Sequence, residues 1–269
     1  MGTHFYIPSE RPLKDAVQYF WQVNRNNFNC KQETIVPKGV VEIVFNFFPE
    51  TTFTGKLYNK DFTIPKSFIQ GYHYNTIELA LPECQFLFGV VLHTAVTKHI
   101  LKIPAGEFAR QCIDLTEVDP SFNSLWHQLA EKKNFSDKVT HLSDWLLKRM
   151  CCLNPRELAL NEMFTLKSDI ALYVPNLSEW LCYSPRHLSR MFYELTGMNT
   201  EQTLLYLKYL KAVNLIHYSG LSLTQIAYAC EFSDQSHFIK VFKSFTELTP
   251  NEYKNRKSEI ACHYFEHVR

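Results

Sequence analysis

Apolar residues recur at helical spacing twice in the last third of the chain, in two copies of one pattern. The first copy, LSEWLCYSPRHLSRMFYELTGMN, runs from Leu177 to Asn199. Within it Leu188, Met191, Phe192 and Leu195 fall at i, i+3, i+4 and i+7, one apolar stripe of a helix. Ser184 is a good N-cap for that helix, and Pro185 suits its first position, where a missing N–H costs nothing. Arg186, His187, Ser189 and Arg190 lie off the stripe near the helix N-terminus. The second copy, LSLTQIAYACEFSDQSHFIKVFKSFTELTP, runs from Leu221 to Pro250. Its stripe is Phe238, Val241, Phe242 and Phe245, with Ser233 and Asp234 as N-cap candidates. Gln235, Ser236, His237, Lys240 and Lys243 are left facing outward. Leu177 corresponds to Ile226, Leu181 to Cys230, Phe192 to Phe242 and Leu195 to Phe245.

Each copy reads as helix, tight turn, helix, with polar and basic side chains on the outward face of the second helix. Arg, Gln, Ser and Lys are suited to base edges and phosphates, so the repeat implies double-stranded DNA as a partner. Between the copies, Leu204, Leu205, Leu207, Leu210, Ala212, Leu215 and Ile216 predict a long helix over Thr200–Tyr218, stopped near Gly220. Such a helix would fix the separation of two reading heads. To enter the same face of a duplex they must sit about one turn, roughly 34 Å, apart.

The front of the chain alternates differently. In VVEIVFNFF, Val40 to Phe48, both faces are apolar except for Glu42 and Asn46, which share one face with Val40, Val44 and Phe48. Thr51–Tyr58, Ser67–Gly71, Asn75–Leu81 and Gln85–Leu92 read as further strands between Pro, Gly, Asn and Asp signals. Several short strands of this kind predict a small barrel or sandwich. A helical pattern follows at Thr94–Lys102, closed by Pro104. Pro120–Lys132 and Phe135–Met150 predict a helical hairpin, with Phe122, Leu125, Trp126 and Leu129 on one stripe and Val139, Leu142, Trp145, Leu146 and Leu147 on the other. That pair suits either a coiled contact with a second subunit or packing on its own β domain. Asn154-Pro155 marks a boundary. The expected organisation is α+β: a β-rich sensor domain over 1–119, a helical linker or dimerisation hairpin over 120–154, and an all-α domain with two helix-turn-helix units over 155–269.

With these residues in view, the chain resembles the AraC family of bacterial transcription regulators. SPRHLSRMF in the first unit carries the resemblance, with IAYACEFSDQSHFIKVFK and TPNEYK in the second, over about Arg156 to Lys257. The resemblance implies promoter binding, more often activation than repression, with RNA polymerase as a further partner. By position it implies Arg186, Ser189 and Arg190, then Gln235, Ser236, His237 and Lys240, as base readers. Where the family usually has glycine in each turn and again before the TP pair, this chain has Cys182, Glu231 and Glu247. If the backbone there requires φ > 0, each costs on the order of 1 kcal/mol. In the front part, PKGVVEIVFNF and GVVLHTAVTKHILKIPAGEF resemble the sensor and dimerisation half of a subgroup of these regulators. That similarity implies a homodimer and a small-molecule effector.

Charge adds a constraint. The whole chain carries 28 Lys+Arg against 27 Asp+Glu, and the part from Arg156 onward is neutral, with 12 of each sign. DNA affinity must then come from locally placed positives, or from dimerisation that doubles the contacts. Only 20% of residues are charged and 46% are hydrophobic, which fits two globular domains. No run of about 18 apolar residues occurs and the first fourteen residues lack a signal-peptide core, so a cytoplasmic protein is expected. Eight cysteines without a C-x-x-C pattern fit reduced thiols.

The sequence offers little to other chemistry. No H-E-x-x-H or other metal spacing occurs around His73, His93 and His99, and no cofactor is expected. There is no G-x-S-x-G and no phosphate-cradling glycine loop, and the chain has only eight glycines. An enzyme with an attached helical domain is therefore the weaker reading, and a constitutive or accessory DNA-binding protein with no ligand is the stronger alternative. Phe20, Trp21, Phe45, Phe47, Tyr72, Tyr74, Phe86 and Phe88 either line a ligand pocket or fill the β core. Glu42 and Asn46 are the candidate ligand-binding polar groups, or else a solvent-facing pair.

Overall fold

The computed structural model describes residues 2–26, 30, 32–48, 53–166, 172–258 and 260–266. Strands β1 (Gly2–Tyr6), β2 (Val17–Arg25), β3 (Gln32–Ile35), β4 (Val41–Asn46), β5 (Thr54–Leu57), β6 (Lys60–Thr63), β7 (Ser67–Gln70), β8 (Ile77–Ala80), β9 (Gln85–Leu92) and β10 (Cys112–Asp114) come from the front of the chain, whereas β11 (His263–Glu266) comes from its far end. They form a six-stranded sheet in the order β1-β2-β9-β4-β7-β10 and a five-stranded sheet in the order β11-β3-β8-β5-β6. The five expected strands are present, Gln85–Leu92 with the expected bounds and the other four with trimmed ends. Thr51 and Thr52 of the second lie outside the described residues.

Strand β4 explains the doubly apolar pattern. All six of its residues are buried. Alternation sends Val41, Ile43 and Phe45 into the main apolar cluster, while Val44 joins a second cluster with Phe53, Ile64, Phe68 and Leu81. Both faces of the sheet are therefore covered. Glu42 and Asn46 are buried with the rest, which corrects the alternative of a solvent-facing pair.

Short helices α1 (Leu13–Ala16), α2 (Thr97–Leu101) and α3 (Leu115–Val118) lead to the hairpin of α4 (Ser121–Ala130) and α5 (Phe135–Leu147). The hairpin packs on its own β domain. Phe122 stacks on Phe45 at 6.5 Å and lies tilted against Trp145 at 4.9 Å, and Phe135 meets Phe88 edge-on at 6.1 Å. Trp126 Nε1 donates to the Asn46 carbonyl at 2.9 Å. Phe122, Leu125, Leu129, Val139, Leu142 and Leu146 of the two stripes are buried within this chain, while Trp126, Trp145 and Leu147 are half-buried.

The helical part comprises α6 (Pro155–Phe164), α7 (Val174–Trp180), α8 (Pro185–Thr196), α9 (Thr200–Tyr218), α10 (Leu223–Ala229), α11 (Gln235–Thr246) and α12 (Pro250–Arg256). Asn154 starts α6 with a capping box closed by Glu157, and α9 has the bounds that its apolar spacing predicts. The helical part does not stand apart from the sheets. Tyr206 and Tyr209 of α9 are fully buried and reach the front domain. The Tyr206 hydroxyl donates to the His73 carbonyl and accepts from Gly39 N–H, both at 3.1 Å; the Tyr209 hydroxyl donates to the Pro37 carbonyl at 2.9 Å. One apolar cluster runs from Ala16 through both parts to Tyr264. Through β11 the segment 263–266 belongs to the β unit, although it follows both helix-turn-helix units in the chain. Among the described residues no helix is long and apolar enough to cross a membrane.

Candidate nucleic-acid interface and barrel cavity

The two helix-turn-helix units, α7–α8 and α10–α11, superimpose in their local chemistry. Each turn places a non-glycine residue in the left-handed region, Cys182 at φ 52° and Glu231 at φ 58°. One residue later the chain folds back, with Tyr183 N–H on the Ser178 carbonyl at 2.9 Å and Phe232 N–H on the Ala227 carbonyl at 3.0 Å. Each second helix is then capped by a side chain. Ser184 Oγ accepts from His187 N–H at 3.3 Å, and Asp234 Oδ1 accepts from His237 N–H at 2.8 Å. The His237 amide holds the Asp234 carboxyl below its ordinary range, so that cap keeps its negative charge at the positive end of the helix. Leu188 and Phe192 in α8, and Phe238, Val241 and Phe242 in α11, are buried as their spacing predicts.

Arg186 and Arg190 are exposed on α8 and Ser189 is half-buried. Arg190 Nε lies 3.9 Å from Glu194, which also approaches Lys98 Nζ at 3.7 Å. On α11, Gln235, Ser236, Lys240 and Lys243 are exposed. The two histidines also contact their own turns. His187 stacks on Tyr183 at 4.3 Å, while His237 packs edge-on against Phe232 at 5.6 Å and takes Ser233 Oγ on Nδ1 at 3.0 Å. Both rings are half-buried, each in contact with an aromatic residue of its turn. Sequence reasoning missed Ile239. It shares a shallow groove along α11 with Ser236, Lys240, Lys243 and Ser244. Its position three residues after Ser236 and off the stripe of Phe238, Val241, Phe242 and Phe245 was the available signal, passed over because the side chain is apolar.

Between the sheets lies a cavity of about 160 Å³. Its apolar lining includes Trp21, Val44, Phe53, Phe68, Ile77 and Leu87, and its polar lining includes Lys38, Glu42, Glu33 and His263. Glu42 accepts from Trp21 Nε1 at 2.6 Å and pairs with Lys38 Nζ at 2.7 Å. Burial by itself would lower the Lys38 pKa, but Glu42 more than reverses this and the ammonium is held above its ordinary range. Burial, reinforced by Glu42, pushes the neighbouring Tyr19 hydroxyl up to about 12. Glycine is required at position 89, since a Cβ there would lie 2.3 Å from the Trp21 ring. Of the two polar residues expected at a ligand, Glu42 is in the wall. Asn46 is not: it sits at the strand end, where its Oδ1 accepts from Phe48 N–H at 3.0 Å. Of the eight aromatics considered, only Trp21 lines the cavity; Phe20, Phe45, Tyr72 and Phe88 fill the main core.

Comparison with known proteins agrees with this geometry. Residues 177–256 match the family described as a helix-turn-helix domain, and residues 4–114 match a domain of unknown function, DUF6597. The HTH-type transcriptional regulator GlxA of Rhizobium meliloti is 27% identical over 148 residues, covering 49% of this chain and 46% of that protein. The HTH-type transcriptional activator RhaS of Salmonella arizonae is 31% identical over 84 residues, covering 31% of this chain and 30% of that protein. The chain thus spans less than half the length of these curated relatives. A solved structure of unsaturated fatty acid bound wild-type ToxT from Vibrio cholerae shares the fold, with a TM-score of 0.51 at 14% identity over 90% of this chain and 97% of that one. Residues 177–256 of this chain are thus a helix-turn-helix domain of the AraC type that these regulators carry.

Proposed function

We propose that the protein is a sequence-specific DNA-binding regulator that places α8 and α11 in successive major grooves and answers to a small molecule held between its sheets. The observation that carries this reading is the pair of capped helices, each exposing polar and basic side chains at its N-terminal half, at the two ends of one buried 19-residue helix. At 1.5 Å per residue α9 is about 28 Å long, which suits two heads one DNA turn apart. Arg186, Ser189 and Arg190 read one block; Gln235, Ser236 and Lys240 read the other, with Lys243 on phosphate. Ile239 supplies an apolar contact of the kind that recognises a thymine methyl group. His187 and His237 act by bracing the turns.

Activation is the sign we assign, since one relative bears that name. RNA polymerase is then the protein partner, and a second copy of this chain offsets the neutral charge of the DNA-binding part. A cytoplasmic location follows from that role. What favours a sensor over the constitutive reading is the cavity between the sheets, with the Lys38–Glu42 ion pair in its wall. The test is selection of random duplex DNA on the full-length protein at two salt concentrations. Two short blocks about 10 bp apart are expected. Failure to enrich any motif at low salt would overturn the reading.

A further inference from the structure

The segment following α12 touches the cavity and the helix-turn-helix units at once. Ile260 and His263 line the cavity, and His263 Nδ1 meets Glu33 Oε1 at 2.7 Å across the β11–β3 pair. In the other direction Cys262 N–H donates to the Tyr253 hydroxyl of α12 at 3.1 Å, and that hydroxyl meets His217 Nε2 of α9 at 2.8 Å. Residues 36–39 run alongside with the same double attachment. Val36 N–H donates to the Cys262 carbonyl at 2.9 Å, while the Pro37 carbonyl and Gly39 N–H bind the two tyrosine hydroxyls of α9. Between them Lys38 turns its side chain to Glu42 in the cavity wall. Gly39 has φ +64°, and a Cβ there would lie 2.2 Å from Leu210 of α9, so the backbone is pressed against the helix.

We infer that residues 260–266 are a latch through which the state of the cavity sets the pose of the DNA-reading helices. This rests on the reading that the cavity holds the effector. At about 160 Å³ the cavity, partly open to the outside, is smaller than the roughly 300–1,000 Å³ of ordinary ligand sites, so an occupant of ordinary size would bear on its lining, to which Ile260 and His263 belong. β11 is the wall suited to move: a four-residue edge strand, paired on one side only. The apolar lining selects a compact, largely apolar molecule. Displacing β11 frees Cys262 from Tyr253 and from Val36, which loosens α9 and α12 together.

The test uses the full chain and needs no ligand. Backbone hydrogen exchange is followed in the wild type with and without the selected duplex, and DNA affinity is measured for wild type, Glu33→Gln and His263→Ala. Because coupling is reciprocal, duplex is expected to slow exchange in residues 32–35 and 263–266, which lie in the front sheet and carry none of the DNA-reading side chains. Both variants are expected to exchange faster in β11, α9 and α12 and to lose roughly 5- to 150-fold in DNA affinity. Variants that loosen β11 yet keep wild-type affinity, with β11 exchange in the wild type indifferent to duplex, would overturn the latch. If the wild type binds no duplex, it is the DNA reading that fails. The latch is then still judged by whether loosening in Glu33→Gln spreads from β11 to α9 and α12, and confinement to β11 rejects it.

Discussion

In the first helix-turn-helix unit α8 leans on the front domain. The 3-10 turn at Ala105–Phe108 packs against its C-terminal end, the Tyr74 hydroxyl donates to the Thr196 carbonyl at 3.2 Å, and Glu194 is shared between Arg190 and Lys98. In the second unit α11 touches the sheets only lightly, with Thr76 Oγ1 donating to Glu247 at 3.3 Å. Among the described residues no carboxylate lies within salt-bridge reach of Lys240 or Lys243. Helix α8 is anchored and partly neutralised; helix α11, with two lysines and no acidic residue, is freer and more basic. A reader that is held still contributes geometry, whereas an unpaired cationic one contributes affinity and salt dependence.

The largest effects should come from the shared core beneath both units. Phe192 and Phe242 are both 0% exposed and occupy equivalent positions. Replacing either by alanine is expected to cost about 3–5 kcal/mol. Since both belong to one cluster that extends into the sheets, each variant should melt in one transition detected equally by near- and far-ultraviolet circular dichroism. Two resolved transitions in Phe242→Ala alone would mean that the second unit folds apart from the first.

How much of this contrast can be read in the sequence follows from how local its causes are. The stripes of α8 and α11, the Ser184 and Asp234 caps and the length of α9 depend on residues within a few turns of one another, and the pattern exposes them. Six strands escape such reading for identifiable reasons. β2 carries Gln18, Gln22 and Asn24 among its apolar residues, β10 has only three residues, and β11 pairs with a strand some 230 positions away, as the His263–Glu33 contact shows. The cavity is assembled from walls on both sheets, so no single strand announces it. Glu42 and Asn46 share a face by alternation, yet only the neighbour geometry separates a wall residue from a strand-end cap. The histidines of both recognition helices carry donors and acceptors suited to bases, and only the turn aromatics reveal that their rings are already engaged.

Acid should act on the joint that anchors the first unit. His73 is buried beside that joint, its Nδ1 on the Asn75 carbonyl at 2.7 Å and its own carbonyl on the Tyr206 hydroxyl. Burial lowers its pKa from 6.5 to about 4, so the folded state prefers the neutral ring. The unfolded chain therefore binds the proton first. Stability is full above pH 6.5, falls by about 1.4 kcal/mol per pH unit toward pH 4 and levels off below it. Urea melts of wild type and His73→Asn between pH 7 and 5 should differ by this slope. Parallel curves would show that the ring is protonated in the fold.

The DNA-reading faces themselves should differ in size of effect. Lys240→Ala is expected to weaken binding by about 1–3 kcal/mol if it contacts a base, with the loss concentrated at one position of the site. Arg190→Ala should cost less, because Glu194 already offsets part of its charge. Glu194→Gln should then raise affinity and steepen the salt slope. Competition binding across single-base variants of the selected site separates the outcomes, and equal losses from Arg190→Ala and Lys240→Ala would erase the proposed asymmetry between the units.

The smallest effect concerns the ends of the two recognition helices. Gly197 and Glu247 hold the same place, each closing its helix in the left-handed region, at φ +71° and +62°, with its N–H on Tyr193 or Lys243. The first is glycine for two reasons. A Cβ at position 197 would lie 3.0 Å from Ala109, 3.2 Å from the Gly106 carbonyl and 3.3 Å from the Tyr74 hydroxyl, so the docked front domain would have to give by a few tenths of an ångström. At position 247 the side chain is exposed, and only the backbone cost of about 1 kcal/mol opposes a non-glycine residue. Glu247→Gly should accordingly stabilise the protein by about 1 kcal/mol, less the small share owed to the Thr76 contact. Gly197→Ala should destabilise it by more than that, since docking and backbone act together. Urea unfolding of the two variants measures the difference. A Gly197→Ala cost no larger than the Glu247→Gly gain would mean that the first unit is not pressed against the front domain in solution, and the contrast between the two units would then rest on charge alone.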